Sequence, residues 1–398
     1  MILDLKRYER FFSLLDEPSE MADFRQRLKE NLGDSVELPK YRYSSFVKLP
    51  LPDFEISEIK DAPDCKIAVD APDQVSVHDS LTSENSSRFL RASEKDLKDS
   101  MDAVHSSYMN SVLMLDIPDG VSLDRPIVVD VDAGGDTVFL SVYIRAGKDS
   151  SSKVVIKRKS SDACPFFSSR THVNLESGAV SDIIDVQDLS METIGMSKTF
   201  VHSDDSASVK ASGICLGGKY AKSDFFSILD GKGSASELRV LNLATGKRKH
   251  NIHAESIHNA SGTYSDIFTK AVISDRAKAL ATGNVCIGAE ASDSNGYETQ
   301  NALLLTENAE ADAIPNLEIH NHDVKCSHGS TISQIDENQV FYMMSRGVSR
   351  KNAELMLIKG FFNNILEKIG DEAITHSAYE KIEAMLSRKY DEEHPERY

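Results

Sequence analysis

Cys326 and His328 are the residues of this sequence whose types and spacing best suit metal chemistry. In a β-strand, side chains two positions apart point to the same face. A thiolate and a neutral imidazole are ligand types that suit iron or zinc. The alternative is a satisfied histidine beside a cysteine that packs as a small apolar residue. The pair is therefore a candidate metal or cluster site.

His320 and His322 share the parity of this pair if one strand runs unbroken to His328. All four side chains would then lie on one face and could hold a metal ion without help from another chain. Exposed strand faces also carry histidines that bind nothing. Simple solvent exposure is therefore the competing interpretation for His320 and His322.

The remaining cysteines do not complete such a site. The five cysteines are far apart and include no CxxC pair; they are Cys65, Cys164, Cys215, Cys286 and Cys326. This spacing argues against a disulfide framework and against a self-contained four-cysteine cluster. Apolar residues and glycines flank Cys286, which favours core packing, and we expect the same of Cys164 and Cys215.

Known catalytic motifs are missing from the sequence. The string nearest to a phosphate-binding loop, LATGKRKH at 243–250, lacks the first glycine and the hydroxyl residue of GxxxxGK[ST]. Neither GxSxG nor HExxH occurs. We therefore expect a chain with no catalytic motif of its own and no ATP bound to it.

The net charge of the chain argues against one class of partner. The chain carries 63 Asp and Glu against 45 Lys and Arg, a net charge of −18, which argues against a nucleic-acid-binding surface. The N-terminus does not read as a secretory signal, and no stretch approaches the roughly 20 apolar residues of a membrane span. We expect a cytoplasmic protein that binds no membrane.

Three regions of different pattern must position these residues. Residues 1–109 look mostly helical and begin with an apolar stripe at helical spacing, formed by Leu3, Leu5, Tyr8, Phe11, Phe12 and Leu15. Residues 110–335 are short β-type runs separated by Gly, Ser, Asp and Asn turns. Residues 336–398 return to helix, with helix ends expected at Gly347 and Gly370.

The central region predicts a mainly β fold. Few helical patterns interrupt it, which argues against a Rossmann or TIM arrangement and favours a sandwich, a barrel or a solenoid. The single long tract of strands best suits a parallel β-helix, with rungs of roughly 20–25 residues.

Several linked blocks near the end of this region carry a family resemblance. They are Leu317-Glu318-Ile319, the run DVKCSHG at 323–329, Phe341-Tyr342 and Ser345-Arg346-Gly347, followed by an apolar helix through Phe361. Upstream, Leu303-Leu304-Leu305 and residues 309–315 match a strand and turn. The ordered set resembles the SufB/SufD family, the scaffold proteins of the SUF iron–sulfur cluster assembly system.

The resemblance implies a fold and a set of partners. It implies a right-handed parallel β-helix core flanked by N-terminal and C-terminal helical regions. Family members pair through their β-helices, as a SufB–SufD heterodimer or as a homodimer. Their C-terminal helices each hold one SufC-type ATPase, which would supply the ATP hydrolysis.

The resemblance also assigns roles to residues. It places Cys326 and His328 at the subunit interface, around a transient iron–sulfur cluster shared with the partner. It places ATPase docking on the C-terminal helices, with Phe341, Arg346, Gly347, Phe361 and Phe362 as candidates. Arg346 and Gly347 would also suffice as a helix end, and both phenylalanines could simply pack in the core. Whether a flavin binds, as the resemblance suggests, stays open.

The sequence leaves three alternative functions open. The form of the Lys-Cys-Ser-His-Gly block and the absence of a Glu-His pair after Cys326 favour a SufD-like scaffold over a SufB-like scaffold of a minimal system. A carbohydrate-active enzyme on a β-helix would use Asp and Glu pairs, but the chain lacks the Trp of a sugar platform. A stand-alone metalloprotein would use His320, His322, Cys326 and His328.

Overall fold

The computed structural model describes residues 2–4, 17–33, 35–37, 59–60, 62–82 and 85–393. Helices within these residues are α1 (Ser19–Leu32), α2 (Ser86–Lys95), α3 (Ser100–Tyr108), α4 (Glu337–Ser345), α5 (Arg350–Ile369) and α6 (Glu372–Glu393). Strands outnumber helices, as the sequence predicts.

The strands divide into three sheets. A small one pairs β1 (Ile2–Asp4) with β2 (Ser35–Glu37). Sheet 1 contains β3 (Cys65–Asp70), β6 (Ile127–Ala133), β8 (Ser151–Ser160), β10 (Val180–Asp188), β12 (Ser208–Cys215), β14 (Ala235–Ala244), β16 (Tyr264–Ile273), β18 (Ser294–Leu304) and β20 (Val324–Gln334). Sheet 2 contains β4 (Ser76–His78), β5 (Ser111–Ile117), β7 (Val138–Ala146), β9 (Phe166–Leu175), β11 (Ile194–Ser203), β13 (Tyr220–Leu229), β15 (Lys249–His258), β17 (Lys278–Ile287) and β19 (Glu310–Ile319).

The chain alternates between sheets 1 and 2, so each turn of the coil adds one parallel strand to each sheet. The predicted parallel β-helix is confirmed. The predicted rung length is wrong, however, because Val180 pairs with Ser208, 28 residues later, and Tyr264 pairs with Asn295, 31 residues later. Two strands of about ten residues plus two turns need more chain than we expected.

One corner of each rung is held by a residue in the left-handed region. The stacked positions are Gly120, Asp149, Gly178, Ser206, Gly233, Gly262 and Asp293, with φ between 53° and 74°. Each donates its backbone N–H to a carbonyl of the following rung, as Gly178 does to Asp205 at 2.9 Å. Gly, Asp and Ser fit here because a bulky or β-branched side chain is strained at positive φ.

Apolar side chains fill the space between sheets 1 and 2, but a buried ion pair lies among them. Arg158 and Asp185, from neighbouring strands of sheet 1, form this pair and are almost fully buried. From sheet 2, Thr171 Oγ1 accepts a hydrogen bond from Arg158, and Thr199 Oγ1 donates one to Asp185. The pair is therefore hydrogen-bonded as well as neutralised.

Helices α2 and α3 cover the outer face of sheet 2. Asp102, on α3, forms ion pairs with Arg170 and Lys198 on that face. Burial raises the pKa of Asp102, but the two positive charges outweigh it and hold that pKa below its usual value. His105 lies beside them, with its ring nitrogens 2.7 Å from Ser168 Oγ and 3.0 Å from Ser141 Oγ.

Helices α5 and α6 cover part of the outer face of sheet 1. Their buried apolar side chains join those of the sheet in one cluster, which includes Ile214, Leu241, Val272, Leu303, Ile358, Phe362, Ile365 and Ile382. Lys270 of β16 donates to the backbone oxygen of Phe361 and, at 2.6 Å, to Asn364 Oδ1. The C-terminal helices are thus anchored to the middle of the solenoid.

Several elements differ from the sequence interpretation. The sequence pattern predicts no β-type run at β5, β11 or β15. Strands β11 and β15 are rich in polar residues that become buried against other elements, so period-2 alternation is lost. At the N-terminus, Ile2–Asp4 pairs with Ser35–Glu37 as a strand, so the predicted helix is wrong there, and residues 5–16 lie outside the described part.

The division into 1–109, 110–335 and 336–398 stays a proposal. Strands β3 and β4, from the first of these regions, extend sheets 1 and 2. The described helices lack any segment that combines the length and the apolar character of a membrane span.

Replacing Asp185 by Ala leaves the Arg158 guanidinium buried without its counter-charge. We expect the free energy of unfolding to fall by about 3–5 kcal/mol. The matched control is Asp182→Ala on the same strand, whose carboxylate lies 3.9 Å from Lys153 on the partly exposed outer face. That variant should change stability by less than about 1 kcal/mol. Urea unfolding of both variants measures the difference, and equal losses would contradict the argument.

Candidate functional site

The two ends of the solenoid differ in whether further strands pair with the outermost rung. At the first rung, β3 and β4 run antiparallel to their neighbours and cover them. At the last rung, β19 and β20 are the outermost strands, and no described strand pairs with their free edges. Free N–H and C=O groups on such an edge are able to bond to a strand of another chain. We call this surface the open end.

Apolar side chains are exposed at the open end. Ile319 of β19 is 43% exposed and Ile332 of β20 is 44% exposed. Deeper in the same rung, Leu317 and Val324 pack partly against the interior core. A further rung or another molecule would cover these side chains, which makes the open end a candidate interface.

Cys326 and His328 both lie on β20, within this surface. Cys326 is half-buried, packs against the core and pairs in register with Gly296; burial raises the pKa of its thiol. His328 has the same parity as Cys326, is exposed, and has no hydrogen-bond partner among the described residues. The structure therefore places both side chains on one face, separated along the strand by about 7 Å.

Beneath His328 lies a buried carboxyl group that sequence reasoning missed. Glu298 of β18 is the register partner of His328, and burial raises the pKa of Glu298 to about 7. Its Oε1 accepts a 2.6 Å hydrogen bond from Gln300, while Oε2 has no partner among the described residues. Gly283 on the opposite sheet leaves room for it, because a Cβ there would clash with the carboxylate. An acidic residue at an inward-facing position was the available signal.

The four-residue metal site predicted with His320 and His322 rests on a wrong premise. Strand β19 ends at Ile319 and β20 begins at Val324, so both histidines lie in the connection between sheets. The chain must change sheets there, which breaks the parity with Cys326. His320 Nε2 lies 2.9 Å from Glu318 Oε1, and both side chains are exposed. Among the described residues, no three His, Cys, Asp or Glu side chains cluster as a metal site.

The remaining cysteines divide into two groups. Cys164 and Cys215 are buried, as expected, and burial raises the pKa of each thiol to about 12. Cys286 lies between core residues of β17 and therefore points outward, so its predicted core position is wrong; burial still raises its pKa. Cys65 on β3 is half-buried at the far end of sheet 1, and burial raises its pKa to about 11.

A second exposed apolar surface lies on the C-terminal helices. Phe341 is 73% exposed and Tyr342 is 60% exposed, both on α4. Met344 on α4 and Met356 on α5 are also largely exposed. These four residues define what we call the α4–α5 patch. Several large exposed apolar side chains on two adjacent helices are typical of a protein-binding surface.

The other residues proposed for docking lie around this patch. Gly347 ends α4 with φ 87°, and Arg346 lies over the ring of Tyr342 at 5.4 Å. Phe362 is fully buried, whereas Phe361 is half-buried beneath Lys270, whose Nζ lies 4.5 Å from the ring centroid. The structure thus assigns Phe362 to the core and leaves Phe361 at its margin.

Comparison with known proteins gives a family. The model of the SUF system FeS cluster assembly SufBD core domain matches residues 129–361, which is more than half of the chain. The matched region contains the strands from β7 to β20 and most of α5. Cys326, His328 and the α4–α5 patch all lie inside it.

Several curated proteins are similar to this chain. The iron-sulfur cluster assembly protein SufD of Escherichia coli is 30% identical over 47% of this chain and 45% of its own length. The protein of that name from Bacillus subtilis is 25% identical over 74% of this chain and 69% of its own length. Protein ABCI7, chloroplastic, of Arabidopsis thaliana is 27% identical over 50% of this chain and 42% of its own. The match thus spans less than half of the E. coli and Arabidopsis relatives.

Thiol labelling should separate the cysteines. We expect iodoacetamide to modify Cys326 and Cys286 in the native protein and to leave Cys164 and Cys215 unmodified, because those two are buried. Since the pKa of Cys326 is raised, its thiolate fraction is lower than that of a free cysteine at pH 8 and increases as the pH rises. Mass spectrometry of the labelled peptides measures both effects. Native modification of Cys215 ahead of Cys326 would contradict the burial argument.

Proposed function

Because the chain belongs to the SufBD core family of the SUF iron–sulfur cluster assembly system, we propose that it is a SufD-like scaffold subunit of a SUF complex. The observation that carries this proposal is the open end, where Cys326 and His328 lie on a strand whose outer edge pairs with no described strand. Two ligand-type side chains on a free edge suit a site that a second subunit completes. The cluster is cargo under assembly on this scaffold.

We propose that a SufB-like subunit, or a second copy of this chain, pairs with the open end. The free edges of β19 and β20 offer backbone hydrogen bonds, and Ile319 and Ile332 offer apolar contacts. Continuing a sheet across two chains satisfies backbone groups that would otherwise face water. Cys326 and His328 would then lie at the junction and contribute a thiolate and an imidazole, with the remaining ligands supplied by the partner.

The α4–α5 patch is the proposed docking surface for a SufC-type ATPase. Phe341 supplies the most exposed large apolar side chain, and Arg346 and Gly347 shape the adjoining turn. Phe362 is buried in the cluster that packs α5 on sheet 1, and Phe361 lies at its margin, so both would hold α5 in place for docking. Helices α5 and α6 are packed on sheet 1, so movement of a bound ATPase would be transmitted to the solenoid.

ATP hydrolysis belongs to the docked partner in this proposal, and the chain acts as a cytoplasmic scaffold without its own catalytic step. A SufB-like scaffold of a minimal system is the alternative, and it would use the same open end for a homodimer. Flavin binding remains a separate question, which absorbance of the complex purified from its native host would answer.

Substitutions at the open end should separate pairing from cluster assembly. We expect Ile332→Asp to abolish pairing, because it places a charge in an apolar contact. We expect His328→Ala to retain pairing but to lower the iron and sulfide bound by the complex severalfold, because it removes a ligand. Co-purification under anaerobic conditions, followed by iron and sulfide analysis, measures both.

The matched control for Ile332→Asp is Val180→Asp, which introduces the same charge at a similarly exposed position on β10. It should pair and load cluster as the unmodified chain does. Cluster loading unchanged by both Ile332→Asp and His328→Ala would refute the role of the open end.

Substitution of the α4–α5 patch should weaken ATPase binding alone. We expect Phe341→Ala to lower affinity for the ATPase subunit by tenfold or more, roughly the effect of removing an interface anchor. Met191→Ala is the control, because Met191 is also exposed but lies on a turn before β11. Pulldown with the purified ATPase gives the result. Equal binding by both variants would exclude docking at this patch, while pairing through the open end could still be intact.

A further inference from the structure

The C-terminal end of α2 is held on sheet 2 by charged side chains. Asp96 directly follows the helix and is 2% exposed. Its Oδ2 lies 2.8 Å from His172 Nδ1 on β9, and its Oδ1 lies 3.0 Å from His202 Nε2 on β11. Lys95, the last residue of α2, donates a 2.8 Å hydrogen bond to Asp230, which follows β13. These contacts connect the helix end to three successive strands of sheet 2.

His202 lies between two carboxylates. Its Nδ1 is 3.0 Å from Asp230 Oδ2, and its Nε2 is 3.0 Å from Asp96 Oδ1. Burial raises the pKa of Asp96, but its hydrogen bonds with His172 and His202 outweigh this and lower the pKa to about 2. Burial also raises the pKa of Asp230, but the hydrogen bond from His202 and those from its other partners outweigh it and hold that pKa below its usual value. Both groups are therefore ionised, and a carboxylate only accepts hydrogen bonds.

This geometry determines the protonation state of His202. A neutral imidazole has one N–H donor and one acceptor nitrogen. Since a carboxylate lies at each nitrogen, only the imidazolium makes both hydrogen bonds. Burial lowers the pKa of His202, but the hydrogen bonds to Asp230 and Asp96 outweigh this and raise that pKa above its ordinary value of 6.5. His202 is thus a charged link between the helix end and the end of β13.

Solvent reaches this link through a polar cavity of about 340 Å³ between α2 and sheet 2. The titratable and charged side chains that line the cavity are Arg88, Arg91, Lys95, Arg145, His172, Glu176 and His202. Asp204, which follows β11, adds a carboxylate near Asp230. Guanidinium groups stay charged in proteins. His172 is the other imidazole in this lining, so a test must distinguish the two rings.

The N-terminal half of α2 is attached in a different way. Phe89 is 2% exposed and belongs to an apolar cluster with Phe24, Met114 and Tyr143. Burial of apolar surface does not depend on the protonation of a histidine. A change of charge at His202 therefore acts on the last turn of α2 and on the connection to α3, while the first turn stays in place.

We propose that His202 is a pH-sensitive latch that holds the C-terminal end of α2 and the connection to α3 on sheet 2. In the imidazolium form it bridges Asp96 and Asp230. Loss of its proton leaves a nitrogen lone pair facing one of the two carboxylates, so this contact is lost and the helix end loosens.

The direction of the pH effect follows from the raised pKa of His202. The stabilisation is fully present below the ordinary value of 6.5 and is lost as the pH rises through the raised value of the closed structure. The latch is therefore closed at lower pH and opens as the solution becomes alkaline. Opening uncovers the outer faces of β9 and β11, which α2 and its connection to α3 otherwise cover.

Titration of His202 in the purified full chain is the first test. We expect its ring, followed by NMR and assigned by the loss of its signal in His202→Gln, to lose its proton at a midpoint above pH 6.5. Asp230→Asn should lower this midpoint, because it removes one of the two carboxylate partners. His172 gives a separate signal, which identifies the ring that titrates. A midpoint at or below 6.5 in the unmodified chain would overturn the proposal.

Hydrogen exchange of residues 93–99, corrected for the intrinsic effect of pH, tests whether the charge on His202 holds the helix end. Protection should fall between about pH 6 and about pH 9, by about tenfold for each unit by which the midpoint of His202 exceeds 6.5. In His202→Gln, protection should change little over the same range, because an amide does not titrate.

The matched control is His376→Gln, which removes an exposed histidine of α6 that also lies beside a carboxylate, that of Glu380. It should keep the pH dependence of the unmodified chain. Equal pH dependence in His202→Gln and in the unmodified chain would contradict the latch, and so would constant protection while His202 titrates. None of these outcomes depends on scaffold function, because the measurements require neither partner nor cluster.

Discussion

Backbone hydrogen bonding between rungs is the constraint from which the rest of this structure follows. Each strand of sheets 1 and 2 satisfies its N–H and C=O groups through the rungs before and after it. An end rung lacks one of these neighbours. The chain covers the first rung with β3 and β4, whereas no strand in the described part of the chain covers β19 and β20. Cys326 and His328 lie on that uncovered rung, where a second chain is able to reach them.

The outer faces of the two sheets contact helices through different kinds of interaction. Sheet 1 receives α5 and α6 through an apolar cluster, so this contact depends on hydrophobic burial. Sheet 2 receives α2 and α3 largely through ion pairs and histidines, such as Asp102 with Arg170 and Asp96 with His172. Charged contacts need their partners in fixed positions, because a buried ion that loses its counter-charge is strongly destabilising.

The fold class was predictable because strand alternation and turn residues are local signals, and the SufB/SufD blocks gave the candidate site. Rung length was not predictable, because the left-handed corner accepts Gly, Asp or Ser and the repeat therefore never appears as one letter. Strands β11 and β15 were missed because their polar residues, such as Lys198 and Asn251, are buried by elements distant in sequence. The buried position of Glu298 could not be predicted for a similar reason: it lies beneath His328 because it pairs in register with a residue 30 positions later in the sequence.

The stacked left-handed corners also give the solenoid a regular spacing along its axis. Each rung advances the sheets by about 4.8 Å, and the corner residues keep successive rungs aligned. Helix α5 contacts β14 and β16, whereas the open end begins at β20, two strands beyond β16 in sheet 1. The span between the proposed docking helices and the free edge is therefore counted in whole rungs. Insertions within a turn leave this distance unchanged, whereas gain or loss of one rung would shift it by a full step.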